Sequence, residues 1–453
     1  MNETKKTIGF LGAAAVLVVL AIILAPRRIT PEAFLDQGEQ FFPEFTDPNA
    51  ATSLEVVDYD ASTGSAYPFK VTFEDGHWVI PSHYNYPADA KDRLAQTAAG
   101  IIQIKKDDFR SDNTADHEIC GVIDPLDETV PGLTGRGQRV TVRGANDQIL
   151  ADLIIGNPVP TRPGFRFVRL PDQKRVYAAR VDLDLSTRFA DWIDTDLLRV
   201  DKNKIDRIVF NDYSINERTG SVEQKDNLQL NLKNKKWSMS GTKSGQSADS
   251  TKVAQLINNI DALSIVGVRP KPAALSQSLQ GSSGEGELSQ ADLLSLQNKG
   301  FFVTRNGQLM SNEGEMKIRT SEGITYTLRF GEVLYGSGPE VSAGSDEAGK
   351  AKSGGAENRY LFVTTSFDPK LVPEPPMPRD TSFVGKADSL LTDADRENRT
   401  MYYNHRNWVT DVTRYRKNAD DLNARFADWY YVISGASFDR LRLKRTDLLA
   451  SKS

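Results

Sequence analysis

The residues best suited to catalysis are three aspartates, Asp191, Asp194 and Asp196, which stand close together after Phe189. Neighbouring carboxylates can carry out general acid and base chemistry, and several carboxylate oxygens can hold a cation. No glycine turn of the kind found in calcium-binding loops follows the cluster, and a later segment of similar sequence keeps only Asp428. We therefore interpret the cluster as a helix-end cap with solvated charges. A hydrolase that uses these carboxylates is the least favoured functional hypothesis.

The other side chains with catalytic or metal-binding potential are four histidines and one cysteine. His77 and His83 flank a strand that contains Trp78, but no third ligand stands near them, so we interpret them as surface or loop histidines. The lone Cys120 excludes an internal disulfide framework and a site with several cysteine ligands. No nucleophile elbow, phosphate-binding loop, dinucleotide fingerprint or zinc-protease motif occurs. The sequence thus predicts no catalytic residue, no metal site and no cofactor.

The composition describes a globular chain without affinity for nucleic acid. The chain has 453 residues, with 56 lysines and arginines against 61 aspartates and glutamates, and a formal charge of −5. A nucleic-acid-binding protein needs a basic face, which this balance argues against. The length predicts about two to three domains.

A long apolar segment near the amino terminus predicts a signal anchor. Thr7 to Ala25 comprises 19 residues without a charge, 16 of them apolar. As a helix it would span about 28 Å, which is the thickness of a hydrocarbon core. A cleaved signal peptide would have a shorter apolar region and a cleavage site of small residues. The basic residues on both sides of the segment are predicted to meet lipid head groups: Lys5, Lys6, Arg27 and Arg28.

The body of the chain repeats one sequence pattern. A strand that contains Trp78, a polar loop and a helix recur around Trp237, and Leu94 and Val253 keep the same offset of 159 residues. A two-strand hairpin that ends in glycine follows in each half. The pentapeptide Arg-Phe-Ala-Asp-Trp, which begins at Arg188, recurs from Arg425. We interpret these matches as two copies of one unit.

The predicted fold class is α+β, with a single N-terminal transmembrane helix followed by two tandem copies of a mixed, mainly antiparallel sheet-plus-helix unit. Shifts in composition indicate the domain boundaries and the insertions of the second copy. The insertions are interpreted as loops, connectors and a charged helical stretch. The predicted segments are a cytoplasmic tail and anchor over 1–28, a linker over 29–53, a first repeat over 54–204, and a second repeat over 205–453 with insertions at 274–290, 336–357 and 373–421.

An aromatic patch near the carboxyl terminus is a candidate binding surface. It contains Phe426, Trp429, Tyr430 and Tyr431. Tryptophan and tyrosine supply rigid contact area in interfaces, but core packing is the simpler explanation. We interpret Phe426 and Trp429 as core residues, because the first copy has the same pair, and keep Tyr430 and Tyr431 as possible partner-docking residues.

Several of these motifs together resemble a bacterial family called domain of unknown function 4340. They are the tryptophan followed by an Ala-Asp helix, Gly121 to Pro125 before a paired hairpin, Ile155-Gly156-Asn-Pro, and Asp191-Trp192. The resemblance covers about residues 54–210, and residues 205–443 more loosely as a tandem second copy. The second copy has Leu296 to Gly300 where the first has Gly121 to Pro125.

The resemblance implies a membrane-anchored envelope protein that works as a non-enzymatic accessory or scaffold subunit of an ABC-type export or gliding-motility-related complex. The implied partners are the lipid bilayer, an ABC permease and ATPase, and auxiliary envelope proteins. No catalytic residues are known for the family, so none carries over. We accordingly expect a single-pass protein of the bacterial inner (cytoplasmic) membrane with its bulk in the periplasm. An extracytoplasmic ligand-binding protein, with a site between the two repeats, is the alternative.

Overall fold

The structure is a computed structural model that describes residues 11–19, 36–216, 221–244, 246–280, 288–304, 307–344 and 356–450. Residues 11–19 are helical and exposed. Over these described ranges, no helix combines the length and the apolar character needed to cross a membrane. The predicted anchor over Thr7 to Ala25 lies partly outside the described residues. The flanking basic residues lie wholly outside them: Lys5, Lys6, Arg27 and Arg28.

The chain is α+β and divides into two compact units with two large antiparallel sheets, which confirms the predicted fold class at this level. The first unit takes its described residues from Met1–Tyr67 and Leu94–Leu185. The second takes them from Pro68–Arg93 and Ser186–Ser453. The predicted domain boundaries stay predictions.

The first large sheet has the strand order β4-β3-β2-β1-β6-β7-β8-β9-β5. Helix α1 (Lys91–Ile102) buries Leu94, Ala98 and Ile101, the apolar spacing that predicts an amphipathic helix. A one-turn helix, α2 (His117–Cys120), ends at Gly121 in the left-handed conformation that glycine favours. The strands are β1 Ser53–Asp60, β2 Ser65–Glu74, β3 His77–Ile80, β4 Tyr86–Pro87, β5 Asp108–Ser111, β6 Gln138–Arg143, β7 Ile149–Pro158, β8 Phe165–Arg169 and β9 Val176–Arg180.

The second large sheet has the strand order β12-β11-β10-β16-β17-β18-β19-β13, and a small hairpin pairs β14 with β15. The strands of the large sheet are β10 Ile205–Asn216, β11 Ser221–Lys233, β12 Lys236–Met239, β13 Gly267–Pro270, β16 Glu315–Thr320, β17 Ile324–Tyr335, β18 Glu357–Phe367 and β19 Trp429–Ser434, and those of the hairpin are β14 Phe301–Val303 and β15 Leu309–Ser311. Its helices are α3 Ser250–Asp261, α4 Ala273–Leu279, α5 Gln290–Asn298, α6 Pro339–Ala343, α7 Asp393–Ala427 and α8 Gly435–Leu441.

The two large sheets share one strand order. If the edge strand β4 is left out, β3-β2-β1-β6-β7-β8-β9-β5 corresponds position by position to β12-β11-β10-β16-β17-β18-β19-β13. Local contacts follow the same correspondence. Arg166 Nε–H donates to the carbonyl oxygen of Gly156 at 2.8 Å, and Arg359 Nη1–H donates to that of Gly331 at 2.8 Å.

Two segments that the sequence predicts as loops contain short helices of the second unit. Helix α4 lies in the predicted 274–290 insertion and buries Leu275, and α6 lies in the 336–357 insertion and buries Val341. The loop interpretation is wrong for these parts because a few apolar side chains in a polar, glycine-rich context are enough to pack on the sheet. The structure therefore assigns the two insertions a packing role.

The 373–421 insertion contains most of α7, the longest described helix, as its charged pattern predicts. Its start is fixed by a capping box: the Asp395 N–H donates to the Thr392 hydroxyl at 3.2 Å, and the Thr392 N–H donates to the Asp395 carboxylate at 3.0 Å. Towards its end the helix is tied to β18, where the Thr365 hydroxyl donates to the carbonyl oxygen of Ala419 at 2.8 Å.

The two identical pentapeptides occupy different places in the topology. The one from Arg188 forms a short 3-10 helix (Phe189–Trp192) after β9. The one from Arg425 ends α7 and begins β19 with Trp429. The interpretation of this pentapeptide as a motif common to both copies is wrong, because five identical residues do not fix a position in a sheet.

Leu448 occupies the position beside the second sheet that Trp192 occupies beside the first. Both side chains are fully buried at the end of a four-residue 3-10 helix. The Asp89 N–H donates to the carbonyl oxygen of Trp192 at 2.8 Å, and the Asp249 N–H donates to that of Leu448 at 2.9 Å. The equivalence thus rests on backbone geometry, and the side chains differ.

Candidate docking groove

The aspartate cluster is neutralised by arginines. Asp194 Oδ2 accepts a hydrogen bond from Arg199 Nη2 at 2.8 Å and lies 3.2 Å from Arg425 Nη2. Burial alone would raise the pKa of Asp194, but the hydrogen bond from Arg199 and the charge of Arg425 hold it below its usual value. Asp191 pairs with Arg188 at 2.8 Å. These carboxylates are therefore ionised and paired, which does not suit a general acid.

The described part of the chain contains no group of three or more histidine, cysteine, aspartate or glutamate side chains arranged to hold a metal. Asp196 serves locally, since its carboxylate accepts the Arg199 backbone N–H at 2.8 Å. Asp194 and Asp196 bind backbone N–H groups of an irregular segment, so they do not form the predicted helix-end cap, and Asp194 is paired with arginines and not solvated as predicted.

Tyr430 and Tyr431 lie in the core of the second unit. Neither side chain has measurable exposure. The Tyr430 ring centre lies 5.9 Å from that of Phe301, and the Tyr431 hydroxyl donates to the carbonyl oxygen of Arg425 at 3.2 Å. Their burial does not fit the predicted partner-docking role, because a partner cannot reach either ring in this fold. Phe426 is buried as predicted, whereas Trp429, which the sequence also predicts to be a core residue, is only half-buried.

His83 is also buried, so its interpretation as a surface or loop histidine is wrong. Its ring stacks on Phe189 at 4.5 Å between centres, and Nε2 lies 2.9 Å from the Ser342 hydroxyl. Nδ1 lies 2.9 Å from the Ser82 hydroxyl. Burial, with a smaller effect from Arg269, lowers the pKa of His83 to about 4. The imidazole is therefore neutral at pH 7 and is held between two hydroxyls.

We expect this burial to make stability depend on pH. Because the pKa of His83 falls from 6.5 to about 4 on folding, the unfolded chain binds more protons between these values. The contribution of His83 to the free energy of unfolding is complete above pH 6.5. As the pH falls from 6.5 towards about 4, the free energy of unfolding decreases by about 3 kcal/mol. Urea unfolding over this range should show the slope, and His83→Gln should remove most of it. The exposed His77→Gln is the control, and an unchanged slope in His83→Gln would contradict this account.

An open groove of about 750 Å³ lies on the first unit beside β5, β8 and β9. Cys120, Phe167 and Ala178 form its nearly buried floor, and Ile119 stands on its rim with 74% of its surface exposed. Phe167 and Ala178 are direct cross-strand partners, which places both side chains on one face of the sheet. The guanidinium of Arg110 lies 5.7 Å from the centre of the Phe167 ring.

The equivalent face of the second unit is covered. The cross-strand pair of Phe167 and Ala178 corresponds to Tyr360 and Val432, which pair in the same way between β18 and β19. Both belong to a fully packed apolar cluster. The side chains that cover this face come from α4, α5 and α6: Leu275, Leu296 and Val341.

The groove is open because the first unit has less covering chain: the one-turn helix α2 follows β5, where the longer helices α4 and α5 follow β13. Between β7 and β8 the chain needs only the short turn around Pro160 and Gly164, whereas α6 stands in the corresponding connection between β17 and β18. Sequence reasoning found the insertions but missed the groove. The signal was present: the insertions at 274–290 and 336–357 mark places where the second unit has a cover that the first unit lacks.

Comparison with models of known protein families finds a match to part of the chain. The family described as "Domain of unknown function (DUF4340)" matches residues 78–278. The matched range is less than half of the chain, begins in β3 and ends in α4. It confirms the resemblance over this range, in a single copy, and it includes the groove. No curated protein and no solved structure matches the chain.

The lone cysteine provides a direct measure of the groove floor. Cys120 is 1% exposed, and burial raises the pKa of its thiol despite the hydrogen bond from Arg110. We therefore expect its reaction with a maleimide to be about tenfold or more slower than that of glutathione. Phe167→Ala, which opens the floor, should speed the reaction, whereas Phe73→Ala, at an exposed ring in the second unit, should not. Reaction of the native chain at the glutathione rate would contradict the burial.

Proposed function

We propose that this protein is a non-enzymatic accessory or scaffold subunit of an ABC-type export or gliding-motility-related complex. The uncharged segment from Thr7 to Ala25 supports a single-pass anchor in the bacterial inner membrane, with the two units on the periplasmic side. The match to the family over residues 78–278 supports the same class of protein. ATP hydrolysis in such a complex belongs to a partner, since this chain has no phosphate-binding loop.

The observation that carries the proposal is the open groove of the first unit. An open groove with a nearly buried apolar floor and the exposed Ile119 on its rim lies there, while the second unit covers the corresponding face with its own helices. Exposed apolar surface has a free-energy cost in water, so a concave patch of this kind favours a protein-binding role.

We further propose that the two units arose as tandem copies. The shared strand order supports this, as do the paired contacts of Arg166 with Gly156 and of Arg359 with Gly331. In this proposal the second copy has acquired covering helices and the first has kept an accessible face.

Affinity purification from membranes in a mild detergent tests the proposal. We expect the tagged full-length chain to recover an ABC permease and its ATPase in near-stoichiometric amounts. A version that begins at Thr30 should be released from the membrane fraction. An unrelated single-pass protein with the same tag is the control. Repeated recovery of the chain without any ABC subunit would overturn the proposal.

A further inference from the structure

We propose that the groove of the first unit binds a short apolar helical segment of a partner protein, and that Arg110 binds the backbone carbonyl groups at the end of that segment. The inference rests on the proposed scaffold function and specifies the surface through which it operates.

The second unit provides the template for this contact. Arg269 is the third residue of β13, as Arg110 is of β5, but a bulge between Phe109 and Ser111 leaves Arg110 unpaired in the sheet and gives Ser111 the pairing position of Arg269. Arg269 Nη1–H donates to the carbonyl oxygen of Val341 at 3.1 Å, in the last turn of α6. The last carbonyls of a helix lack partners within it, and a basic side chain there satisfies them and complements the helix dipole. The Val341 side chain meanwhile fills the apolar face. One arginine and one apolar residue thus hold the covering helix.

Arg110, which lies at the bulge next to the position equivalent to Arg269, is accessible to a partner. Arg110 is exposed, lines the groove, and rests over the Phe167 ring. Within the described ranges no carboxylate lies within ion-pair distance of it, and its hydrogen bond to Cys120 occupies only part of its donor set. The aromatic ring restricts the guanidinium before a partner arrives, which lowers the entropic cost of binding.

The rim of the groove favours an uncharged occupant. Asp108, which stands where the second unit has Gly267, is ion-paired with Arg162. These two charges neutralise each other, so Arg110 supplies the net charge of the groove. An apolar segment that presents carbonyl oxygens is complementary to this surface, whereas a basic segment is not.

The presence of Asp108 at the position of Gly267 also shifts where the occupant lies. A Cβ atom at Gly267 would be 2.3 Å from the carbonyl oxygen of Val341, so α6 approaches β13 as closely as only glycine permits. The Asp108 side chain excludes that approach to β5. We infer that the partner segment lies over Phe167 and Ile119, farther from β5 than α6 is from β13.

Site-specific photocrosslinking of the full chain in its native membrane tests this proposal. A photoreactive benzoylphenylalanine replaces Ile119 on the rim, and in a matched control it replaces Ile149, which is also exposed (53%) on the first unit but does not line the groove. We expect an adduct at position 119 alone. Mass spectrometry should map it to an apolar helical segment of a different protein. Arg110→Ala should reduce the adduct about tenfold, the effect of losing a hydrogen bond from a charged group.

Two further variants make the role of Arg110 decisive. Arg110→Lys keeps the charge but loses the forked geometry and should retain only part of the adduct. Arg180→Ala, at another exposed arginine of the first unit, should leave the yield unchanged. An adduct of two copies of this chain, a lipid adduct, the absence of an adduct, or a yield insensitive to Arg110→Ala would overturn the inference.

The outcome separates this inference from the proposed function. A mapped partner that is not an ABC subunit would support the groove and overturn the assignment to an ABC-type complex. Recovery of ABC subunits without an adduct at position 119 would support the assignment to an ABC-type complex and overturn the groove inference.

Discussion

Replacing Gly331 by alanine should lower the free energy of unfolding of the second unit by about 3 kcal/mol or more. A Cβ atom there would lie 2.1 Å from the carbonyl oxygen of Lys299 and 2.7 Å from the Phe301 ring. The first obstacle is backbone, so the methyl group can be accommodated only if two chain segments separate. Urea unfolding monitored by circular dichroism measures the effect.

The equivalent position of the first unit gives a second, independent test of the same packing rule. A Cβ atom at Gly156 would lie 2.3 Å from the carbonyl oxygen of Cys120, so Gly156→Ala should be similarly destabilising. Gly132→Ala is the control, because its Cβ atom would meet nothing within 4 Å, and it should change stability by less than about 0.5 kcal/mol. An unfolding midpoint of Gly331→Ala equal to that of the wild type would show that this close approach is absent.

Trp192→Ala should destabilise the second unit by about 3–5 kcal/mol, the range for removal of a large buried side chain. The indole is fully buried, its ring centre lies 5.9 Å from that of Phe69, and its Nε1–H donates to the carbonyl oxygen of Ser186 at 2.8 Å. The variant therefore leaves a cavity and an unsatisfied carbonyl.

Two comparisons identify the source of this loss. Trp192→Phe keeps much of the ring volume but removes the hydrogen bond, so it should cost clearly less than alanine. Trp237→Ala, at a half-buried tryptophan of the same unit, should also cost less. If Trp237→Ala proved as costly as Trp192→Ala, burial would not be the determining quantity.

The elements that repeat were predictable because they are local. The apolar spacing of α1 and α3 and the turns of the hairpins depend on residues a few positions apart, so the similar elements of the two sheets can be recognised from the chain alone. The strand order was not predictable, since β5 pairs with β9 across a long stretch of chain, with Asp108 opposite Ala178. Such non-local pairings depend on the whole sheet.

Burial misled the sequence analysis in two places. β19 lies between β18 and β13, and Tyr430 and Tyr431 are buried on opposite faces of this strand. In the sequence they are neighbours and therefore look like one aromatic patch. Leu275 and Val341 stand in polar segments whose helices become recognisable only when the apolar face that they cover is known. In both cases the missing information was which side of the sheet is covered.

The candidate site was hidden for a related reason. Nothing in the residue types of Arg110, Ile119 or Phe167 indicates binding. The groove emerges only when the first sheet is compared with the second, where Arg269 already holds the carbonyl group of a covering helix. It is a difference between two equivalent surfaces, which no single motif encodes.

Co-purification of matched groove variants tests the central claim most directly. Ile119→Asp places a charge on the groove rim, and Ile149→Asp places the same charge on an exposed site of the same unit outside it. Both full-length chains should reach the membrane in equal amounts. The account predicts that Ile149→Asp recovers the ABC permease and ATPase as the wild type does and that Ile119→Asp loses them. Equal recovery by the two variants would contradict it.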